Sequence, residues 1–173
     1  PLGDYDIAHL AYSIEREDLQ LAGGKQDQYA ATFGGVNFME FYGDDKVIVN
    51  PLRIRPEYLH ELGNNLVLYF TATSRESAHI IKEQVKNVNN KDEKSIDAMH
   101  PLKEQARMMK EALLKGRLHE IGEILDFGFE QKRKRAHNIS NDKIELIYNA
   151  AKKEGATGGK ISGAGRGGFV IVV

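Results

Sequence analysis

The chain has 173 residues, and its 41% hydrophobic content is enough for the core of one ordinary domain or of parts of two. Its 24 basic and 25 acidic residues give a net charge of -1, so no whole-chain field favours nucleic acid or a membrane as partner. The lack of cysteine excludes disulfides and cysteine-based zinc sites, and it fits a cytoplasmic protein. No apolar stretch approaches the ~20 residues of a membrane span, and the oligomeric state stays open.

The first part of the chain predicts two helices and a hairpin. Ile7, Leu10 and Ile14 recur at helical spacing behind Asp4, a good N-cap residue. A glycine turn then leads to a shorter helix, which Gly34 is expected to stop. The predicted elements are helices over 4–19 and 28–33 and strands over 36–42 and 46–52.

Pro51 and Pro56 interrupt this pattern, and we place a domain boundary near residue 59, between units 1–58 and 59–173. The apolar run Leu66–Phe70 predicts a buried strand at the start of the second unit. The other predicted elements of this unit are helices over 76–88, 95–115, 118–135 and 142–154 and a strand over 169–173. This mixture indicates an α+β fold.

A carboxylate in a glycine-rich turn is the most informative feature of the first unit. Asp27 follows Gly23 and Gly24, which let the backbone approach a substrate closely, and Lys25 is placed to hold the carboxylate ionised. Such a group suits proton abstraction from a hydroxyl. Asp27 could instead cap the helix that follows it, a common role for Asp after Gly. Glu15 adds a second carboxylate twelve residues earlier, which taken alone reads as a solvated helix residue.

A second glycine cluster runs from Lys160 to Gly168. Gly163, Gly165 and Gly168 stand in G-x-G-x-x-G register, but a predicted strand follows them where a dinucleotide-binding motif needs a helix. A tight turn between two strands is the simplest interpretation. The number of glycines favours backbone packed against a ligand or another loop, and exposed N–H groups there suit an anion.

The segment Thr73-Ser74-Arg75 ends a predicted strand and opens a predicted helix. N–H groups, hydroxyls and one guanidinium converge there, which favours an anion, although an ST-type cap beside a surface Arg explains the same residues. The basic run 132–135 stands at a helix C-terminus without aromatic neighbours, which indicates a solvated face. The six histidines show no ligand spacing, and we assign them no metal.

On these residues the chain resembles the GHMP kinases, the superfamily of galactokinase, homoserine kinase and mevalonate kinase, and especially its heptose 7-phosphate kinase branch. The segment 24–29, Gly-Lys-Gln-Asp-Gln-Tyr, is similar to the catalytic-Asp motif, and 160–168 is similar to the C-terminal glycine motif. The resemblance implies the tail of a GHMP N-terminal domain followed by a ferredoxin-like C-terminal domain. It also implies ATP-dependent, Mg²⁺-assisted phosphorylation of a sugar phosphate, at the anomeric hydroxyl of D-glycero-D-manno-heptose 7-phosphate.

The residues and the resemblance together indicate individual roles. By the resemblance, Asp27, with Lys25 beside it, is expected to be the general base or to orient the attacking hydroxyl, and the resemblance alone implies that Glu15 binds Mg²⁺. Substrate contacts are expected from Gly24, Gln28, Thr73, Ser74 and Arg75, and phosphate contacts from Ser162, Gly163, Ala164, Gly165 and Gly167.

The Pro-x-x-x-Gly-Leu-Gly-Ser-Ser nucleotide loop of the superfamily has no counterpart in the 173 residues. We therefore expect the chain to be part of a larger enzyme and to be inactive alone. Two other readings stay open: another GHMP sugar kinase, of the fucose or galactose type, and a catalytically silent binding module. A substrate panel tests the first, and ATP consumption tests the second.

Overall fold

The computed structural model describes residues 1–72, 97, 99–135, 140–162 and 168–173, with only the backbone described for 132–135. The chain divides into two compact units, Pro1–Arg53 and Ile54–Val173. No helix in these described ranges is long and apolar enough to cross a membrane.

The first unit contains two helices and a hairpin, as predicted. Its elements are α1 (Asp4–Ser13), a π-helical turn (Ile14–Asp18), α2 (Gln26–Phe33), β1 (Asn37–Phe41) and β2 (Val47–Pro51). The two strands pair antiparallel, which confirms the hairpin, and α2 ends at Gly34, whose φ of 61° suits glycine. The small core consists of the buried Ala8, Tyr29 and Val49.

The first helix differs from its prediction at both ends. The N-cap is Gly3 rather than Asp4, and the carboxylate of Asp6 accepts a hydrogen bond from the Gly3 N–H at 3.1 Å. The α-helix ends at Ser13, where the chain widens into the π-helical turn. The predicted apolar stripe is nearly half exposed in this chain, at 44% for Ile7 and 49% for Leu10.

The second unit packs helices against a three-stranded sheet. Its elements are α3 (Pro56–Asn65), β3 (Val67–Phe70), α4 (His100–Lys115), α5 (His119–Arg135), α6 (Asp142–Lys153), β4 (Gly159–Ile161) and β5 (Phe169–Val172). The strands are antiparallel in the order β3-β5-β4. The core is formed by Phe129, Ile144, Tyr148, Ile161 and Val170, which lie on α5, α6, β4 and β5.

Two predictions for this unit were wrong. Pro56 opens α3 at its first turn, where the missing N–H costs nothing, so the helix begins at the proline that seemed to interrupt the chain. The boundary expected near residue 59 lies inside this helix. The strand over 66–70 forms at an edge of the sheet, but all four side chains of β3 are exposed by half or more. The helix over 76–88 and the beginning of that over 95–115 lie outside the described residues.

Candidate active site

Asp27 lies in the first turn of α2, and its side chain is exposed. Lys25 occupies the N-cap position and no side chain caps the helix, so the capping role considered for Asp27 is wrong. Within the described part of the chain, no side chain hydrogen-bonds or pairs with the Asp27 carboxylate. The group is therefore open to a substrate hydroxyl.

Lys25 does not pair with Asp27, contrary to the expectation from sequence. Its ammonium donates a hydrogen bond to Asp45 in the turn of the hairpin, and it lies 4.8 Å from the centre of the Tyr12 ring. The hydrogen bond with Asp45 raises the pKa of Lys25 and lowers the pKa of Asp45. Lys25 thus ties the glycine turn to the hairpin, because the β1–β2 fold brings Asp45 within its reach.

The fold brings Glu15 into contact with Gln28, the residue that follows Asp27. Gln28 is only 5% exposed, and its Nε2 donates to Oε2 of Glu15 at 2.8 Å. Arg16 Nη2 lies 3.3 Å from the same oxygen. No described residue bonds to Oε1 of Glu15, so this oxygen is available to a ligand.

The glycine turn is held by Arg16, a residue that sequence reasoning missed. Its Nε donates to the carbonyl of Gly24 at 3.2 Å, and its Nη1 donates to the carbonyl of Leu21 at 3.4 Å. A Cβ on Gly23 would overlap the guanidinium, whereas a Cβ on Gly24 would have nothing within 4 Å. Gly23 is thus required for contact with Arg16, and Gly24 faces open space.

In the second unit, hydrogen bonds organise the ends of the strands beside the glycine cluster. The Ser162 N–H donates to the carbonyl of Phe169 at 2.8 Å. The N–H and the hydroxyl of the fully buried Thr71 both donate to the carbonyl of Gly168, at 2.8 and 2.9 Å, and Lys143 donates to the carbonyl of Thr71 at 2.6 Å. The predicted contacts Thr73, Ser74, Arg75, Gly163, Ala164, Gly165 and Gly167 lie outside the described residues.

Comparison with known proteins identifies the class. Residues 109–173 match the family model for the GHMP kinases C terminal. The crystal structure of L. major mevalonate kinase in complex with R-mevalonate shares the fold, with a TM-score of 0.73 at 21% identity over 99% of this chain and 49% of that one. The chain belongs to the GHMP kinase superfamily, and its GHMP kinase-like α+β fold is confirmed.

Two relatives are more similar in sequence. The D-glycero-alpha-D-manno-heptose 7-phosphate kinase of Campylobacter jejuni is 52% identical over 171 residues, which are 99% of this chain and 50% of that protein. The crystal structure of a D-glycero-D-manno-heptose 1-phosphate kinase from Bacteroides thetaiotaomicron superposes with a TM-score of 0.73 at 43% identity, over 100% of this chain and 45% of that one. The chain therefore spans about half the length of these relatives.

Proposed function

We propose that the protein to which this chain belongs is an ATP-dependent sugar-phosphate kinase, and that it phosphorylates the anomeric hydroxyl of D-glycero-D-manno-heptose 7-phosphate. The observation that carries this proposal is the 52% identity to the Campylobacter jejuni kinase over 171 residues, a span that includes the Asp27 turn. Because the chain spans half of that protein, the proposal concerns the whole parent protein. A cytoplasmic location fits an ATP-dependent enzyme without cysteine in this chain.

Phosphoryl transfer asks a protein mainly to position the reacting groups and to stabilise negative charge. Asp27 is exposed and without a described side-chain partner, so it can receive the hydroxyl of the sugar and accept or orient its proton during in-line attack on the γ-phosphorus. Gln28 follows it, buried, and holds Glu15. Gly24 leaves the space in which a substrate can approach the backbone.

Glu15 fits the requirements of Mg²⁺ in this class of site. Mg²⁺ is usually held by one or two carboxylates together with substrate phosphates. Among the described residues no group of three or more His, Cys, Asp or Glu could hold a metal by itself, so the phosphates of ATP would supply further ligands beside the open Oε1 of Glu15. When bound, the ion would neutralise charge on those phosphates.

The remaining assignments are part of the same proposal. Ser162, Gly163, Ala164, Gly165 and Gly167 would approach the transferred phosphate with backbone N–H groups. Thr73, Ser74 and Arg75 would bind the phosphate that the sugar already carries, since a guanidinium beside the helix N-terminus that the sequence predicts there suits a dianion.

A substrate panel on the parent protein tests this function. The protein is incubated with ATP, Mg²⁺ and either heptose 7-phosphate, fucose or galactose, while ADP release is measured and the product is characterised by phosphorus and proton NMR. We expect ADP only with heptose 7-phosphate, and a new phosphate coupled to the anomeric proton. Turnover of fucose or galactose alone would replace the proposal with another GHMP sugar kinase, and no turnover at all would favour a silent binding module.

A further inference from the structure

Arg16 lies in the π-helical turn between α1 and the glycine turn, and its side chain is only 13% exposed. Its guanidinium contacts three groups at once: the carbonyls of Leu21 and Gly24 and the carboxylate of Glu15, all at 3.2–3.4 Å. A planar guanidinium has donors fixed in several directions, which suits a site of this kind, whereas an ammonium acts as a point charge.

The local backbone places Arg16 in this position. The π-helical turn Ile14–Asp18 carries Glu15 and Arg16 as neighbours, and the Leu21 N–H returns to the carbonyl of Glu15 at 2.9 Å. Gln20, immediately after the turn, has a φ of 52°, in the left-handed region that few non-glycine residues adopt. π-helical turns interrupt an α-helix and occur frequently at functional sites.

Gly23 and Arg16 form a matched pair. A Cβ on Gly23 would overlap the guanidinium carbon and both terminal nitrogens of Arg16. Those atoms are held by hydrogen bonds and cannot move aside without losing them. Any side chain at position 23 would therefore displace the guanidinium from the turn.

We infer that Arg16 is a positioning residue, which sets the spacing between Glu15 and Asp27. It binds the carboxylate of Glu15 directly, and it binds the backbone of the turn that leads into Lys25 and Asp27. This inference rests on the proposed function, in which both carboxylates serve one phosphoryl transfer. Without Arg16 both carboxylates would remain, but the turn between them would be loosened.

The test uses Arg16→Ala and Arg16→Lys in the parent protein, with methylguanidinium added to restore the missing group. A misplacement of about 1 Å can lower a rate by roughly 100-fold, so we expect Arg16→Ala to reduce kcat by about 10- to 100-fold with a smaller change in KM. Millimolar methylguanidinium should recover much of this loss, whereas methylammonium and Arg16→Lys should not. Arg107→Ala is the matched control and should keep full activity, because Arg107 is 57% exposed and its one ion-pair partner among the described residues is Glu104.

A second variant, at Gly23, tests the same contact between Arg16 and the glycine turn. Gly23→Ala keeps Arg16, but the added Cβ would occupy the space of its guanidinium. The variant should therefore lower kcat about as much as Arg16→Ala. The double variant should be no worse than Arg16→Ala alone, because both changes remove one interaction. Full kcat in Arg16→Ala, or a loss that methylguanidinium does not relieve in a variant with the wild-type melting temperature, would overturn the inference.

Hydrogen exchange of the parent protein separates this inference from the proposed function. Gly23→Ala should accelerate amide exchange between Leu21 and Asp27, and Arg107→Ala should not. Unchanged exchange in Gly23→Ala would overturn the role of Arg16 even if the variants proved too unstable for kinetics. A parent protein that folds but transfers no phosphate would instead defeat the proposed function, while exchange would still report on Arg16.

Discussion

Each of the two units has a lysine two residues before a candidate site residue, but one lysine is paired with a carboxylate and the other is buried without a described carboxylate partner. Lys25 precedes Asp27, and its ion pair with Asp45 raises its pKa. Lys160 precedes Ser162, burial lowers its pKa, and no described carboxylate pairs with it. The first unit thus satisfies the charge of its lysine internally, whereas the second contains a cation that an incoming anion would stabilise.

The units also differ in how they hold their candidate residues. In the first, polar side chains hold the turn, chiefly Arg16 and the Gln28–Glu15 pair. In the second, backbone groups and Thr71 connect the strand ends above an apolar core. We therefore expect polar substitutions to act locally in the first unit and packing substitutions to act on the whole of the second.

The largest expected effect concerns the chain by itself. It contains no Gly-Leu-Gly-Ser-Ser nucleotide loop, so the isolated 173 residues should produce no sugar-dependent ADP, whereas the parent protein should.

Amide exchange of the isolated chain should be faster in Pro1–Arg53, whose buried core is small, than in Ile54–Val173. A coupled ADP assay and exchange mass spectrometry check both statements. Measurable turnover by the isolated chain would contradict the first.

The second prediction tests packing in the second unit. A Cβ on Gly158 would overlap the carbonyl of Gly122 in α5, and backbone cannot yield as a flexible side chain can. Gly158→Ala should therefore lower stability by about 1–3 kcal/mol, measured by urea unfolding. Gly63→Ala is the control, because nothing lies within 4 Å of its added Cβ and alanine favours the interior of α3. Equal losses in the two variants would count against the close α5–β4 packing.

The third prediction concerns Lys160, for which the described part of the chain offers no carboxylate partner. The folded pKa of Lys160 lies below the unfolded value of about 10.4, so the unfolded state binds the proton more readily. The free energy of unfolding therefore rises with pH between these two pKa values as far as Lys160 contributes to it. Lys160→Met should raise the free energy of unfolding at neutral pH and flatten this rise. The exposed Lys103→Met provides the control. A destabilised Lys160→Met variant would show that the charge is satisfied in the folded protein.

The smallest effect on stability is expected from Lys25, which pairs with Asp45. Its pKa is raised on folding, whereas that of Lys160 is lowered. Stability from the raised pKa of Lys25 is present below its unfolded value of about 10.4 and is lost as pH rises through the folded value. Stability from the lowered pKa of Asp45 is present above about 3.9 and is lost as pH falls through the folded value.

Asp45→Asn should therefore lower the melting temperature slightly between about pH 4 and 10, and the difference should fade as pH passes below the folded pKa of Asp45 or above that of Lys25. Asp44→Asn is the control, because Asp44 shares the positive φ of Asp45, at 54° against 59°. Identical melting curves for the two variants at neutral pH would show that the ion pair contributes nothing.

Most helices and strands of this chain were predicted from the sequence, although α3 and β4 were not. The end of α2 at Gly34, the hairpin and α4–α6 could be predicted because each depends on near neighbours in sequence. The partner of Lys25 could not be predicted, because Asp45 is twenty residues away and reaches the lysine only once the hairpin has folded. The role of Arg16 was missed for the same reason, since its contact with Gly23 depends on the π-helical turn.

Burial was predicted less well than secondary structure. The apolar run of β3 suggested a buried strand, but hydrophobicity alone does not show whether other elements cover the two faces of a strand.

Kinetics of Asp27→Asn in the parent protein test most directly whether Asp27 is the base of a sugar-phosphate kinase. The asparagine keeps the shape of the side chain but cannot accept a proton, so kcat should fall by about 10²- to 10⁴-fold. The KM values and the melting temperature should stay near those of the wild type, because the Asp27 side chain is exposed. Asp18→Asn, at another exposed carboxylate, should leave kcat unchanged. An Asp27→Asn enzyme that retains most of its kcat at saturating ATP and heptose 7-phosphate would contradict the assignment.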